Sequence, residues 1–345
     1  MADILFPEQL RSVIRKRHPK KLVIVPDGAL HNLPFEALLV HGGDSPRFIL
    51  DEFPPIAYAP SANILVNLMK RPASSAESRR SLLTLGNPQY REQADATQED
   101  VSPKTVAATD PPAESSSAEV ALVAAADRSG ELTRDMMYGF RGVLPPLPGT
   151  ERECVQLAEC FQRQGMTAKP LLGKNATEQQ FVESVRGRGI VHLAAHGLVD
   201  ERYGNLFGAI ALTPPTEATF SEHNDGFLSY NEILQLPLAD CELAVLSACQ
   251  TNVGPDRPLE AGSTLAQAFL AAGAHRVIAS HWSVSDASTA ELVTGFFELI
   301  AKDLAQSNRI DAATALHAAK LKVRQDSRWQ SPYYWAPFVL LGPSD

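Results

Sequence analysis

Short apolar runs separated by polar, turn-forming segments are the main pattern along this chain. Eight runs predict strands, and most are continuous rather than alternating, which is typical of strands covered on both faces in a mostly parallel sheet. They lie at residues 22–25, 56–58, 82–85, 190–195, 209–212, 243–246, 276–280 and 338–341.

Segments with helical spacing fill the intervals between these runs. Thr150 with Glu153, and Thr177 with Gln180, have the spacing of a capping box at a helix start. Segments 263–272, 287–304 and 312–324 predict three further helices. The alternation of strand and helix predicts an α/β fold, with helices covering both faces of a mostly parallel sheet in three layers.

Residues 91–134 break this pattern. The segment is rich in Ala, Ser, Pro, Asp and Glu and has few large apolar residues. Such a composition cannot offset its ordering entropy by burial, so we expect a disordered insertion within a single domain of residues 1–345. Its basic residues are candidate self-cleavage sites if a peptidase in this chain prefers a basic residue before the cut; they include Lys104, Arg128 and Arg134.

Charge and composition exclude several classes of protein. The formal net charge is -9, so the chain lacks the basic footprint that attracts nucleic acid or an anionic membrane. No apolar run reaches the length of a bilayer span, and the first residues do not have the layout of a signal peptide. We therefore expect a cytoplasmic protein that binds neither nucleic acid nor a membrane directly.

Two predicted strands lead into reactive residues. His196 follows the strand at 190–195, and Cys249 follows the strand at 243–246 after two residues. Ligand sites in open α/β sheets lie beyond the carboxyl ends of the strands. The histidine precedes the cysteine by 53 positions, close to the spacing of about 50 in caspases. Position alone also suits a cysteine that is simply a small buried apolar residue.

Eight short blocks occur in order along the chain outside residues 91–134. They are 25–28 (VPDG), 33–36 (LPFE), 148–151 (PGTE), 196–197 (HG), 247–251 (SACQT), 265–274 (LAQAFLAAGA), 281–286 (HWSVSD) and 333–338 (YYWAPF). These blocks resemble those of the CHAT family, a caspase-like domain related to separase that is often found beside tetratricopeptide repeats. The resemblance covers nearly the whole chain.

The resemblance implies a caspase-like cysteine peptidase that needs no metal or organic cofactor. His196 would take the proton of Cys249, and the thiolate would attack a peptide carbonyl. The backbone N–H groups of Gly197 and Cys249 would hold the oxyanion. The remaining cysteines, Cys154, Cys160 and Cys241, are assigned to packing.

Asp286 and Trp282 are candidates for substrate binding. In the separase block that this segment resembles, an acidic residue helps to hold a basic side chain of the substrate, and Asp286 would have that role here. An equally good interpretation is that Asp286 only stabilises the start of the helix beginning near residue 287, where Ser285 can cap it. Trp282 lines the same pocket or simply packs.

His192 and a metal site are the remaining alternatives for the reactive side chains. If strand alternation continues, His192 faces the same side as His196. We expect a hydrogen-bonded structural histidine, and the alternative is a histidine that supports the catalytic residues from behind. Zinc binding by both histidines with Cys241 and Cys249 fits by residue type, but His-x3-His spacing suits a helix and not a strand.

Regulation by a protein partner is also implied by the family, whose members include bacterial defence proteins. No helical repeat array precedes the catalytic blocks, so we expect a separate repeat-containing sensor protein or an excised domain. A catalytically silent interaction module is the alternative function. A nucleotide-binding protein is disfavoured, because no phosphate-binding glycine motif follows a strand.

Overall fold

A computed structural model describes residues 2–43, 46–90, 144–198, 208–221, 223–247, 264–282 and 286–344, with the side chain of Asp286 left undescribed. The chain divides into two compact units, residues 1–88 with 147–345, and residues 89–146. Only Gln89, Tyr90 and residues 144–146 of the second unit are among the described residues. The predicted insertion at 91–134 lies outside them, so its disorder stays a prediction.

Thirteen strands are present in the described residues. They are Leu22–Ile24 (β1), Leu39–His41 (β2), Arg47–Phe48 (β3), Ile56–Tyr58 (β4), Ser81–Gly86 (β5), Thr167–Leu172 (β6), Ile190–Ala194 (β7), His196–Leu198 (β8), Ala209–Ala211 (β9), Phe227–Ser229 (β10), Leu243–Leu246 (β11), Val277–Ser280 (β12) and Phe338–Leu341 (β13).

Helices follow most of the strands. They are Ala2–Leu5 (α1), Glu8–Arg17 (α2), Ile49–Glu52 (α3), Ala62–Met69 (α4), Ala76–Arg79 (α5), Pro148–Arg163 (α6), Glu178–Val185 (α7), Tyr230–Ile233 (α8), Leu265–Ala272 (α9), Asp286–Ser307 (α10), Ala312–Gln325 (α11) and Pro332–Trp335 (α12). Short 3-10 turns occur at Gly28–Asn32, Phe35–Ala37 and Gly173–Asn175.

The main sheet has eight strands in the order β1-β4-β13-β12-β11-β7-β5-β6. Neighbours are parallel except β12 and β13, which are antiparallel. Two hydrophobic clusters cover its faces, one with side chains of α7 and α9, the other with side chains of α6, α10 and α11. This arrangement confirms the predicted three-layer α/β sandwich around a mostly parallel sheet.

Burial explains why the central strands are continuous apolar runs. Every residue of β7, β11, β12 and β13 is buried, and the central strands β7 and β11 have helices on both faces. Large side chains fill the helical layers; Phe161 of α6 meets Phe297 of α10 edge to face at 6.1 Å between ring centroids. Each such buried side chain contributes about 1.5–3 kcal/mol.

One predicted helix start is placed wrongly. α6 begins at Pro148, and Leu147 is its N-cap, so Thr150 lies inside the first turn. The Thr150 hydroxyl donates to the Leu147 carbonyl and accepts from the backbone N–H of Asn87, at 2.8 Å each. Pro148 moves the start forward because its fixed φ suits the first helical position. The start at Thr177 is confirmed, since its hydroxyl accepts from the Gln180 N–H at 3.2 Å.

Candidate active site

The strands that precede His196 and Cys249 are neighbours in the main sheet. β7 and β11 run parallel, with Ile190 opposite Leu243 and Leu193 opposite Leu246. The Ser247 backbone N–H donates to the Leu193 carbonyl at 2.8 Å. Ala194 and Ser247 therefore lie at the same edge of the sheet, where both strands have their carboxyl ends.

His196 takes its position from a second, smaller sheet. The chain bends at Ala195, and His196 begins β8, which pairs with β9 in a three-stranded antiparallel sheet of order β10-β9-β8. His196 lies opposite Ala211, and Gly197 lies opposite Ile210. Both His196 and Gly197 are half-buried. The bend leaves His196 beside the carboxyl edge of the main sheet.

Cys249 lies outside the described residues. Ser247, which precedes it by two residues in the sequence, is the last described residue after β11 and is partly buried. The structure therefore brings together the carboxyl ends of β7 and β11, and the pairing of Cys249 with His196 remains a prediction.

The neighbouring strand β12 leads to the other candidate residues. β12 is parallel to β11, and His281 and Trp282 follow its carboxyl end. The Trp282 indole Nε1 donates to the Tyr333 carbonyl at 3.0 Å, and its ring stacks on His281 with 6.4 Å between centroids. These contacts fix the position of the indole ring. Asp286 is the first residue of α10, one position before the predicted start.

A polar turn at the same edge of the sheet has no role in the predictions made from the sequence. Asn87 follows β5, the other neighbour of β7, and has a left-handed backbone with φ of 48°. Its side-chain amide donates to Glu151 at 2.8 Å, and its side-chain carbonyl accepts from the Leu147 N–H at 3.2 Å. The sequence signal for this turn is the block at 148–151.

Gly86 explains how closely this turn packs. A Cβ atom on Gly86 would lie 2.6 Å from the Cys154 sulfur and 2.7 Å from the Thr150 carbonyl oxygen. Both distances are far inside van der Waals contact, so only glycine lets β5 approach α6 here. The turn is thereby fixed against the helix.

His192 is a structural histidine, as predicted. It is fully buried, its Nδ1 lies 2.8 Å from the Thr84 hydroxyl, and its Nε2 lies 2.9 Å from Glu153 Oε1 without the alignment of a good hydrogen bond. The inference that His192 and His196 share a strand face loses its basis, because β7 ends at Ala194 and His196 belongs to the other sheet.

A zinc site from these histidines and the cysteines is not favoured by the topology. Cys241 precedes β11, so it lies toward the amino edge of the sheet, whereas His196 follows β7 at the carboxyl edge. Within the described ranges, no three His, Cys, Asp or Glu side chains are grouped so that they could hold a metal ion.

The three described cysteines are free thiols whose surroundings disfavour the thiolate. Burial raises the pKa of Cys241 to about 12, and burial together with the nearby Glu153 carboxylate raises the pKa of Cys154. Partial burial and Glu298 also raise the pKa of Cys160. Because the thiolate is the nucleophile, none of the three has the properties of a catalytic cysteine.

The fold is that of the caspase-like cysteine proteases. The chain is similar to the crystal structure of the Arg-specific cysteine proteinase gingipain R (RGPB), with a TM-score of 0.56 and 9% identity over 98% of this chain and 67% of that chain. It is also similar to separase in the Saccharomyces cerevisiae separase-securin complex, with a TM-score of 0.50 and 14% identity over 97% of this chain and 17% of that one. At such low identity the likeness defines the fold.

The chain belongs to the CHAT domain family, whose sequence profile matches residues 1–343. It is also similar to tetratricopeptide repeat protein 28 of Homo sapiens and of Mus musculus, each 24% identical over 359 aligned positions. The match covers 94% of this chain and 12% of each relative, so the chain spans about an eighth of their length. No helix in the described part of the chain is long and apolar enough to cross a membrane.

Proposed function

We propose that this chain is a cysteine endopeptidase in which Cys249 is the nucleophile and His196 is the general base. The observation that supports the pairing best is the register of β7 and β11, which are adjacent, parallel and end at the same edge. His196 follows one strand by two residues, and Cys249 follows the other by three. Membership of a family with a caspase-like fold supports reading this pair as the cysteine and histidine of a peptidase.

The proposed reaction is acyl transfer to a thiolate. His196 takes the proton of Cys249, and the sulfur attacks the scissile carbonyl carbon. The backbone N–H groups of Gly197 and Cys249 stabilise the oxyanion, and the protonated imidazole donates its proton to the leaving amine. Water then hydrolyses the thioester and frees the enzyme.

The proposed substrate is a protein cut after a basic residue. Asp286 would pair with an Arg or Lys side chain, and Trp282 would form a wall of the same pocket. The position of the two residues after β12, next to β11, supports this assignment. The Arg specificity in the name of gingipain R is a property of that protein. It makes a basic residue before the scissile bond the first one to test with this chain.

Control by a protein partner in the cytoplasm completes the proposal. The curated relatives are named as repeat proteins, and the yeast separase structure is a complex with securin. We infer that a repeat-containing region activates cleavage, either as a separate protein that binds this chain or as a further part of the same polypeptide.

Cleavage of fluorogenic peptides with Arg, Lys, Asp or Asn before the scissile bond tests the proposal. We expect cleavage after Arg and Lys that falls at least a thousandfold in Cys249→Ala, as for loss of a nucleophile elsewhere. Cys160→Ala is the matched control and should keep full activity.

Asp286→Asn separates the reaction from its specificity. We expect it to lower kcat/KM for Arg and Lys peptides by more than tenfold while leaving any cleavage of the other peptides unchanged. Equal loss on all peptides would assign Asp286 to the start of α10 alone. Silence of the wild-type chain on every peptide would favour an interaction module.

A further inference from the structure

In the small sheet, His196 of β8 is in register with one residue of β9 and one residue of β10. His196 lies opposite Ala211, and Ala211 lies opposite Phe227. The Leu212 N–H also donates to the Gly226 carbonyl at 2.8 Å, which ties β9 to the turn before β10. The position of His196 therefore depends on what holds β10 in place.

Carboxylates hold both ends of β10. Glu178, the first residue of α7, accepts from the backbone N–H groups of Asp225 and Gly226 at 3.0 and 3.2 Å. At the other end Glu232 accepts from the backbone N–H of Ser229 at 3.0 Å and from its hydroxyl at 2.6 Å. Asp225 accepts from the Phe227 N–H at 2.8 Å. Both ends of the strand are thus fixed by hydrogen bonds to acidic side chains.

Glu178 is in an unusual environment for a carboxylate. It is only 1% exposed, and the charged groups that act on it are the carboxylates of Glu232 and Asp225. His223, which is exposed, lies 3.7 Å from Glu232. Burial and these negative neighbours raise the pKa of Glu178 to about 8, against the opposing effect of its two N–H partners.

The consequence for stability has a definite sign. The folded chain holds the Glu178 proton more tightly than the unfolded chain, in which the pKa is near its ordinary value of 4.5. The stabilisation from this site is therefore complete below that value, declines as the pH rises toward about 8, and is lost above it.

We propose that Glu178 is a positioning residue for His196: while neutral it holds the three-stranded sheet in place, and when ionised it is repelled by Asp225 and Glu232 and loosens the sheet. Neutral Glu178 keeps an oxygen that accepts from the 225–226 backbone. The negatively charged form adds a further charge beside the buried Asp225 and the partly buried Glu232. The significance of this device for catalysis rests on the proposed function, but the device itself does not.

Amide hydrogen exchange of the whole chain tests the inference without any assay of activity. Peptides covering 208–212 and 225–229 are followed by mass spectrometry from pH 6.5 to 9.5, with exchange times scaled for the intrinsic pH effect. We expect protection in the wild-type chain to fall about tenfold or more between pH 6.5 and about 8, and to level off above it. Glu178→Gln keeps the acceptor and cannot ionise, so its protection should stay constant.

Two further variants serve as controls, one elsewhere on α7 and one at position 178 itself. Glu183→Gln removes an exposed carboxylate of α7 and should behave as the wild type. Glu178→Ala removes the acceptor and should lower protection of 225–229 at every pH. An identical pH profile in wild type and Glu178→Gln would overturn the proposal.

Peptide cleavage separates this inference from the proposed function. If the chain cleaves peptides, the alkaline limb of kcat/KM should move to higher pH in Glu178→Gln, while KM changes little. A transition in exchange without any cleavage would leave the positioning role intact and count against the peptidase. Cleavage with no transition in exchange would overturn the positioning role alone.

Discussion

Lys320 and Glu36 form an ion pair in the interior of the unit of residues 1–88 and 147–345. Lys320 Nζ of α11 lies 2.6 Å from Glu36 Oε1, and the side chains are 1% and 4% exposed. The Tyr58 hydroxyl of β4 donates to Glu36 and accepts from the Phe35 N–H, the latter at 2.8 Å. Burial and the adjacent Glu36 carboxylate raise the pKa of Tyr58 well above its usual value. The network joins a 3-10 turn, a strand and a helix.

Lys320→Met is expected to destabilise the fold strongly. The substitution leaves the Glu36 carboxylate buried without its cation, and breaking a buried pair in this way costs about 3–5 kcal/mol. With an unfolding entropy of about 2.1 cal/mol/K per residue, this corresponds to a fall in Tm of roughly 4–7 °C for 345 residues.

Urea denaturation at pH 7 measures the free energy of unfolding, and a double-mutant cycle isolates the pair. Lys320→Met with Glu36→Gln should lose less than the sum of the two single variants, by about 2 kcal/mol or more. Lys322→Met is the matched control, because Lys322 on the same helix pairs with Glu291 at the surface, where both side chains are about half exposed. Such a pair contributes about 0–1 kcal/mol.

A small loss in Lys320→Met, below about 1 kcal/mol, would refute the reasoning. Strict additivity in the double variant would refute it equally, because the two side chains would then not interact. Either result would leave the block at 33–36 without a structural explanation.

Two further predictions follow from packing and from thiol chemistry. Gly86→Ala should lower the free energy of unfolding, measured by urea denaturation, by about 1–3 kcal/mol, because the added Cβ meets the Thr150 carbonyl. Gly149 has open space around it, so Gly149→Ala should change the free energy of unfolding by less than about 1 kcal/mol. Equal effects of the two substitutions would contradict this explanation of the packing. In the folded chain at pH 7.5, iodoacetamide should leave Cys154 and Cys241 unmodified, because burial raises the pKa of both thiols. Peptide mapping measures the labelling of each cysteine. Labelling of either one as fast as in urea would contradict the described packing.

Much of the architecture could be predicted from the sequence because burial on two faces leaves a direct pattern. The continuous apolar runs at 190–195 and 243–246 became the adjacent central strands β7 and β11. Strands with a weaker pattern were missed, such as β6, whose residues Thr167, Lys169 and Pro170 lie near the edge of the sheet and need little apolar surface.

The site was less predictable, because its geometry depends on contacts between distant segments. The bend at Ala195 separates His192 from His196, and nothing in the local alternation signals it. Asn87 and Glu178 act through backbone groups of other segments, and hydrogen bonds of this kind have no local sequence pattern. The family blocks marked the important segments without showing what each residue contacts.

Carboxymethylation of Cys249 by iodoacetamide as a function of pH tests the proposed dyad most directly, since it requires neither a substrate nor an activating partner. We predict that Cys249 reacts well below pH 7, because a nearby imidazolium stabilises the thiolate, and that His196→Ala moves its profile to the ordinary thiol value of about 8.5. The same profile in both proteins, centred on that ordinary value, would contradict the assignment of Cys249 and His196 as a catalytic pair.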